Sequence, residues 1–590
     1  MFNPLIHKKP YGACVKDKDV HIVFPLPVGE VVKNATIILR KEDKEVRHKL
    51  KFKEVKGGEA IYEGTFQISE SGIWKYRFEA ELLTGGIGYY GRGYDGTAIR
   101  QDWLPEWQLT VCDKERETPQ WAKQGICYQI FADRFYKGEE RPFNKEGTYH
   151  KDWNEPLEIA EEGKDYQAND FYGGNIKGII EKIPYLKSLN VTCIYLTPIF
   201  ESFSNHRYDT ADYLKVDDLF GTEEQLAELI QVAHKNGIRI MLDGVFNHTG
   251  SDSIYFNKKN RYPEKGAYQS KDSKYHDWYF FYDFPNDYHS WWGCSVVPTV
   301  NKSAKGYREL ILGKGGVIEK WSKIGVDAWR LDVVDELPID FTNLLCKKIK
   351  EQGKDKHIIG EVWEDATTKV SYDEWRPYLM GNQIDSVMNY PFKEAILEFC
   401  HIKNKDVFIE KITHILENYP KEALDSALNL IGSHDTVRAL TALSNAEYPK
   451  TKSARRVAKL HATHYIEARE RLKIAVLLQY TLPGIPMVYY GDEIGMQGYE
   501  DPLNRKTMQW ENVDGVINAR YTKLGELRKE CSEILQGETH FVPHSTLLIY
   551  TRRGKEGELT VAINPTTEEQ EYMGKKITPW NYEIFLKRHI

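Results

Sequence analysis

Between Ile126 and Tyr490 the chain repeats one pattern eight times: a short apolar, β-rich run, then a longer stretch with helical spacing. The runs are ICYQIF, VTCIYL, GIRIMLDGVF, GVDAWRLDV, HIIGEV, IDSVMNY, ALNLIG and GIPMVYY. Runs that are apolar at nearly every position suit strands buried on both faces, the situation of a parallel sheet covered by helices. Eight of them alternating with helices predict a closed (β/α)8 barrel. The intervening stretches support this. TEEQLAELIQVAHKNG, for example, has a Thr N-cap, apolar positions at helical spacing and a closing Gly.

At 590 residues the chain exceeds what one hydrophobic core sustains, so three or four units are expected. From about Val20 to Val111, runs such as EAIYEGTFQI and GIWKYRFEAELL alternate apolar and polar residues, which predicts an antiparallel β-sandwich. DKERETPQWAKQ after it is charged, carries a Pro and lacks apolar periodicity, so it reads as a linker. Past Gly537, STLLIYTRRG and ELTVAINP alternate again and predict a second, C-terminal β-sandwich. The expected division is 1–112, linker 113–123, barrel 124–535 and terminal sandwich 536–590. Inside the barrel, 249–304 is too long and too aromatic for a simple connection, and reads as an inserted subdomain forming one wall of a cleft.

Composition excludes several classes. Mean hydropathy is -0.56, and no apolar run is long enough to span a bilayer. Net charge of -7 and a pI near 6.3 argue against a polyanionic partner. MFNPLIHKKP does not read as a secretory signal, so a cytoplasmic location is expected. The eight cysteines are scattered without a C-x-x-C pair, which disfavours both a zinc site and a disulfide framework. Aromatic residues make up 13% of the chain; most serve cores, but some suit the apolar faces of sugar rings.

Loops at the C-terminal ends of barrel strands build active sites, and those ends carry a distinctive set. Asp243, Asn247 and His248 follow the third strand, Arg330 and Asp332 lie on the fourth, Glu361 on the fifth, and His434 and Asp435 on the seventh. Any one of these acids alone reads best as a salt-bridged or capping carboxylate. Several at matched strand ends suit glycoside hydrolysis, in which one carboxylic acid protonates the leaving oxygen and one carboxylate attacks the sugar. Arg330, two residues before Asp332, falls on the same strand face and is expected to keep it ionised.

DGVFNH (243–248), GVDAWRLDV (325–333), GEVWE (360–364) and IGSHDT (431–436) resemble the four ordered segments of the α-amylase family of glycoside hydrolases. HRYDTADY, WWG, GIPMVYYGDEIGM and DPLNR extend the resemblance along the chain. The sandwich ahead of the barrel is similar to the neopullulanase, cyclomaltodextrinase and maltogenic amylase subgroup. The resemblance implies retaining hydrolysis of α-1,4-glucosidic bonds in maltodextrins, cyclodextrins or pullulan, with transfer to sugar acceptors left open. It gives Asp332 the role of nucleophile, Glu361 that of acid/base, and Asp435 that of stabilising the distorted sugar. Arg330, His248 and His434 would hold that sugar, with Tyr208 stacked beneath it. Asp501 and Arg505 would reach the far end of the glycone, and Trp363 would line the acceptor side. Asp243 and Asn247 would be mainly structural. The N-terminal sandwich reads either as a starch-binding module or as a cover over a neighbouring subunit's cleft, and the subgroup resemblance favours the second, with a homodimer through that domain.

The chain departs from the subgroup at its calcium loop. DRFYKGEERPFN and YGGNI place Lys137, Pro142, Phe143 and Asn175 at or near ligand positions, and a hard cation prefers carboxylate or carbonyl oxygens to an ammonium neighbour. No metal or other cofactor is expected. VVPTVN and Glu364 are further departures beside the site. An α-1,6-glucosidase and a 4-α-glucanotransferase remain the alternatives of the same fold. A non-catalytic carbohydrate-binding protein is the alternative from another class, disfavoured because Asp332, Glu361 and Asp435 are all present.

Overall fold

The computed structural model describes residues 1–29, 32–83, 85–101, 103, 105–160 and 167–589. All eight apolar runs form strands of one parallel sheet. They are Cys127–Ile130, Cys193–Leu196, Arg239–Gly244, Ala328–Leu331, His357–Gly360, Ser386–Val387, Leu428–Leu430 and Ile485–Tyr489. Neighbours pair in the order sixth, fifth, fourth, third, second, first, eighth, seventh, and a parallel bridge between Met388 and Leu428 joins the two ends. The fold is a (β/α)8 barrel.

Strand period sorts side chains between two cores. Tyr128, Ile130, Ile194, Leu196, Ile240, Leu242, Trp329, Leu331 and Ile358 face outward and join the helices in the large hydrophobic core. Cys127, Cys193, Tyr195, Met241, Ala328, Ile359, Leu428, Leu430, Ile485 and Met487 face inward and fill the barrel. The same alternation carries the inward face on from Ala328 to Arg330 and Asp332, and from Ile359 to Glu361.

The surrounding helices follow their sequence signals. Glu223–Lys235 begins with a capping box, in which Thr222 accepts from the Gln225 N–H and the Gln225 side chain reaches back to the Thr222 N–H. Its inner stripe, Leu226, Leu229, Ile230 and Ala233, is buried, and Gly237 follows its end at φ 75°.

Ahead of the barrel, a ten-stranded sheet folds into the sandwich. The long strand Lys44–Lys56 pairs through its first half with Val32–Lys41 and through its second with Glu59–Phe66, passing from one leaf to the other. Val20, Ile22, Phe24 and Leu26 alternate into a core with Tyr76, Phe78 and Trp107. The stretch after it is pinned along its length: the Asp113 carboxylate accepts from Ser71 Oγ at 2.7 Å, Arg116 lies 3.4 Å from Asp385, and Gln120–Lys123 forms a 3-10 turn. The sandwich docks on the barrel through a nearly buried ion pair, Arg92 with Glu417 at 2.9 Å.

The insertion contains a small hairpin, Phe281–Asp283 with Asp287–Tyr288, and 3-10 turns at His276–Trp278 and Trp291–Gly293. Its Tyr255, Phe256, Tyr275, Trp278, Tyr279 and Tyr288 are buried and pack into a local core. The chain ends in a four-stranded antiparallel sheet with a separate hairpin, anchored by the buried Arg552 donating to Thr481 O at 2.8 Å.

Candidate active site

Arg330 is fully buried at the barrel mouth and touches three carboxylates. Nη1 lies 2.8 Å from Asp243 Oδ1 and 2.7 Å from Asp332 Oδ1, and Nη2 lies 2.8 Å from Glu361 Oε2. Asp332 and Glu361 each stand one residue past the ladder, because the backbone turns away there to open the mouth. Both amides still bond the neighbouring strand, Asp332 N to Gly244 O and Glu361 N to Leu331 O. The next residue, Val333, is a β-branched residue at φ 39°, a conformation that costs on the order of 1–3 kcal/mol unless held by its surroundings. The turn aims its N–H at Glu361 Oε2, 2.8 Å away.

Glu361 therefore accepts from the Val333 N–H on the oxygen that faces Arg330 and from Trp363 Nε1, at 3.1 Å, on the other. Burial pushes Asp332 well above the usual carboxylate range; Arg330 pulls it down, but the charges of Glu361 and Asp243 push it up again. Arg330 does contact Asp332, as its strand position predicted. It is shared among three acids, however, and burial outweighs it, so Asp332 is pushed above the usual carboxylate range rather than below it.

Asp243 anchors the other side of this cluster. Its Oδ2 accepts from Tyr195 Oη at 2.6 Å and Tyr208 Oη at 2.8 Å. Tyr208 lies parallel to His434, ring centroids 5.4 Å apart, and its hydroxyl pairs with His434 Nε2. Gln129 Nε2 donates to His434 Nδ1 at 2.8 Å. Burial, with Arg505 and Arg330 adding, holds His434 far below the usual imidazole range, so the ring is neutral. His434 also sits 3.1 Å from Asp435 Oδ2, and Asp435 opens into the cleft.

Arg505 links the next group, with Nε donating to His434 O at 3.0 Å, Nη2 3.5 Å from Asp435 and Nη1 2.9 Å from Asp501. His248 stacks on Trp291 of the insertion, centroids 5.2 Å apart. Its imidazole is pushed down to about 3 by burial and by the nearby Lys302. Trp363 lies flat on Tyr390, centroids 3.9 Å apart, and remains half-exposed at the rim. Asn247 accepts from Lys302 Nζ through its side-chain oxygen. The twelve singled-out residues thus gather at one mouth.

A family model described as Alpha amylase, catalytic domain, matches residues 129–536. The chain belongs to the α-amylase family. It is 35% identical over 567 residues to an amylopullulanase of Thermoanaerobacterium saccharolyticum, covering 85% of this chain and 42% of that protein. It is also 35% identical over 472 residues to the maltogenic alpha-amylase of Bacillus acidopullulyticus, covering 77% and 72%. The solved type III pullulan hydrolase of Thermococcus kodakarensis superposes with a TM-score of 0.70 at 25% identity, covering 99% of this chain and 100% of that one. The chain spans less than half the length of the amylopullulanases it matches, 42%, 32% and 27% for three of them.

In this α-amylase family member, sequence reasoning missed four supporting residues. Gln129 and Tyr195 are inward-facing polar residues on otherwise apolar strands, and that polarity was the available signal. Lys302, buried and pushed down to about 7 by burial, returns to the site from the far end of the insertion, where no local pattern marks it. Tyr390, under Trp363, begins the helix after the sixth strand. At the suspected calcium loop, Asn175 is occupied by protein: its side chain caps the helix Ile176–Ser188 through Gly178 N and donates to Glu139 O and Gly173 O. Lys137 pairs with Glu140 at 2.8 Å. Among the described residues no helix is long and apolar enough to cross a membrane.

Proposed function

We propose that the chain is a retaining α-glucan hydrolase cutting α-1,4-glucosidic bonds in maltodextrins, cyclodextrins and pullulan. The observation that carries this is the pair Asp332 and Glu361 on the two prongs of one buried guanidinium, at the mouth of a barrel of this family. In the first step Glu361 gives its proton to the glycosidic oxygen while Asp332 attacks the anomeric carbon, so the C–O bond breaks as an ester to Asp332 forms. In the second, Glu361 takes a proton from water, which displaces Asp332 with net retention. Neutral His248 and His434 suit hydrogen bonding to sugar hydroxyls, and Tyr208 offers a ring face below them. Asp435 and Arg505 reach the same sugar from the seventh strand side, and Asp501 extends that wall.

Trp363 lies on the acid/base side and governs the share of sugar acceptors against water, which is the ground for including transfer activity. We further propose that the enzyme is cytoplasmic, binds no structural calcium at the 133–144 loop, and dimerises through the sandwich. The exposed Phe52, Val55, Leu83 and Ile87 there offer apolar surface to a second copy. The test is a product profile on maltotriose, β-cyclodextrin, pullulan and soluble starch, with E361Q as control and sedimentation on the same sample. Fast cyclodextrin cleavage, slow starch cleavage, an E361Q rate reduced roughly 100-fold or more and a dimer are expected. Intact cyclodextrin beside fast starch cleavage contradicts the substrate reading, an unaffected E361Q contradicts the acid assignment, and a strict monomer contradicts the dimer.

A further inference from the structure

Two of the largest side chains at the barrel rim stand as core packing never requires. Trp292 is 85% exposed and Tyr372 is 70% exposed. Both have left-handed backbone, φ 52° and 53°, which bulky residues adopt only when the surroundings impose it. One carboxylate joins them. Glu336 accepts from Trp292 Nε1 through Oε1 at 3.3 Å, and from the Tyr372 hydroxyl through Oε2.

Three rim segments meet at this acid. Trp292 belongs to the insertion, Glu336 to the turn that follows Asp332, and Tyr372 to a hairpin pairing Val370–Ser371 with Glu374–Trp375. The hairpin's two-residue turn is Tyr372-Asp373, with φ 53° and 59°, where Asn-Gly is the favoured pair. Lys369 fastens it to Asp335 at 3.0 Å, and Ser371 Oγ donates to Asp335 O at 3.3 Å.

The pair is continuous with the candidate cleft. Trp292 lies 5.7 Å, centroid to centroid, from Trp291, which stacks on His248. Lys369, at the foot of the hairpin, also pairs with Glu364, the neighbour of Trp363, whose indole is bonded to Glu361, so the hairpin stands beside the acid/base. Aromatic rings whose polar tips are tied down keep their apolar faces for a ligand that is itself part apolar and part hydroxyl.

We propose that Trp292 and Tyr372, clamped by Glu336, form an acceptor-side platform for glucose units of an α-1,4-glucan beyond the sugar bonded to the scissile oxygen. This deepens the proposed hydrolase reading and rests on it. The platform gives longer chains an affinity that short ones lack.

The test compares kcat/KM for maltoheptaose and maltotriose in wild type, W292A, Y372A and E336Q, with calorimetric titration of maltoheptaose into E361Q and into E361Q/W292A. The expected result is a maltoheptaose-to-maltotriose ratio reduced roughly tenfold in W292A and Y372A. E336Q should shift in the same direction, and affinity for E361Q/W292A should fall to match. A wild type that cleaves both sugars, with variant ratios and affinity unchanged, overturns the platform alone. A wild type that cleaves neither overturns the hydrolase reading and the platform with it.

Discussion

At the scale of single residues, charge balance around Arg330 governs the site. One guanidinium faces Asp243, Asp332 and Glu361, so a single positive charge serves three acids. The sequence made part of this legible: a two-residue period put Arg330 and Asp332 on one face. It did not disclose that Glu361 and Asp243 compete for the same cation, since those contacts span adjacent strands. His248 shows the same limit, because Lys302 lies 54 positions along the chain yet beside it in space. The depressed imidazole has a consequence for stability. The unfolded ring takes up a proton below its ordinary value of 6.5, whereas the folded ring resists until about 3. The contribution is present above pH 6.5 and is lost as pH falls from there toward 3. Urea denaturation across that window should show wild type losing stability with a slope up to one proton steeper than H248Q; equal slopes would refute a buried neutral His248.

At the scale of elements, the regular parts were readable and the irregular ones were not. Each apolar run became a barrel strand because burial on both faces leaves no other pattern. The capping box could be anticipated from the Thr at 222 and the Gln at 225. Removing it by T222A is expected to cost about 1 kcal/mol, read as a lowered urea midpoint with the m-value unchanged; an unmoved midpoint would mean the helix start is held by packing alone. The insertion was legible as a subdomain, but its internal form and the rim hairpin were not, for a common reason. Their form depends on contacts between segments distant in sequence, as where Glu336 joins Trp292 to Tyr372, and on positive φ at residues that do not advertise it.

At the scale of the molecule, the barrel supplies the chemistry while the sandwich and the insertion shape access to it. The sandwich is fastened to the barrel by Arg92 with Glu417 and by Gln108, which donates to Thr367 Oγ1 at 2.9 Å in the loop that follows Glu361. The insertion brings Trp291 onto His248 and Lys302 onto Asn247. All of this converges on one claim, that Asp332 becomes covalently bonded to the sugar. E361Q incubated with α-maltosyl fluoride tests it most directly, because fluoride leaves without an acid while the missing base slows release. Digestion and mass spectrometry should find a maltosyl group on the peptide carrying Asp332, and its absence despite fluoride release, or its presence on another residue, would contradict the account.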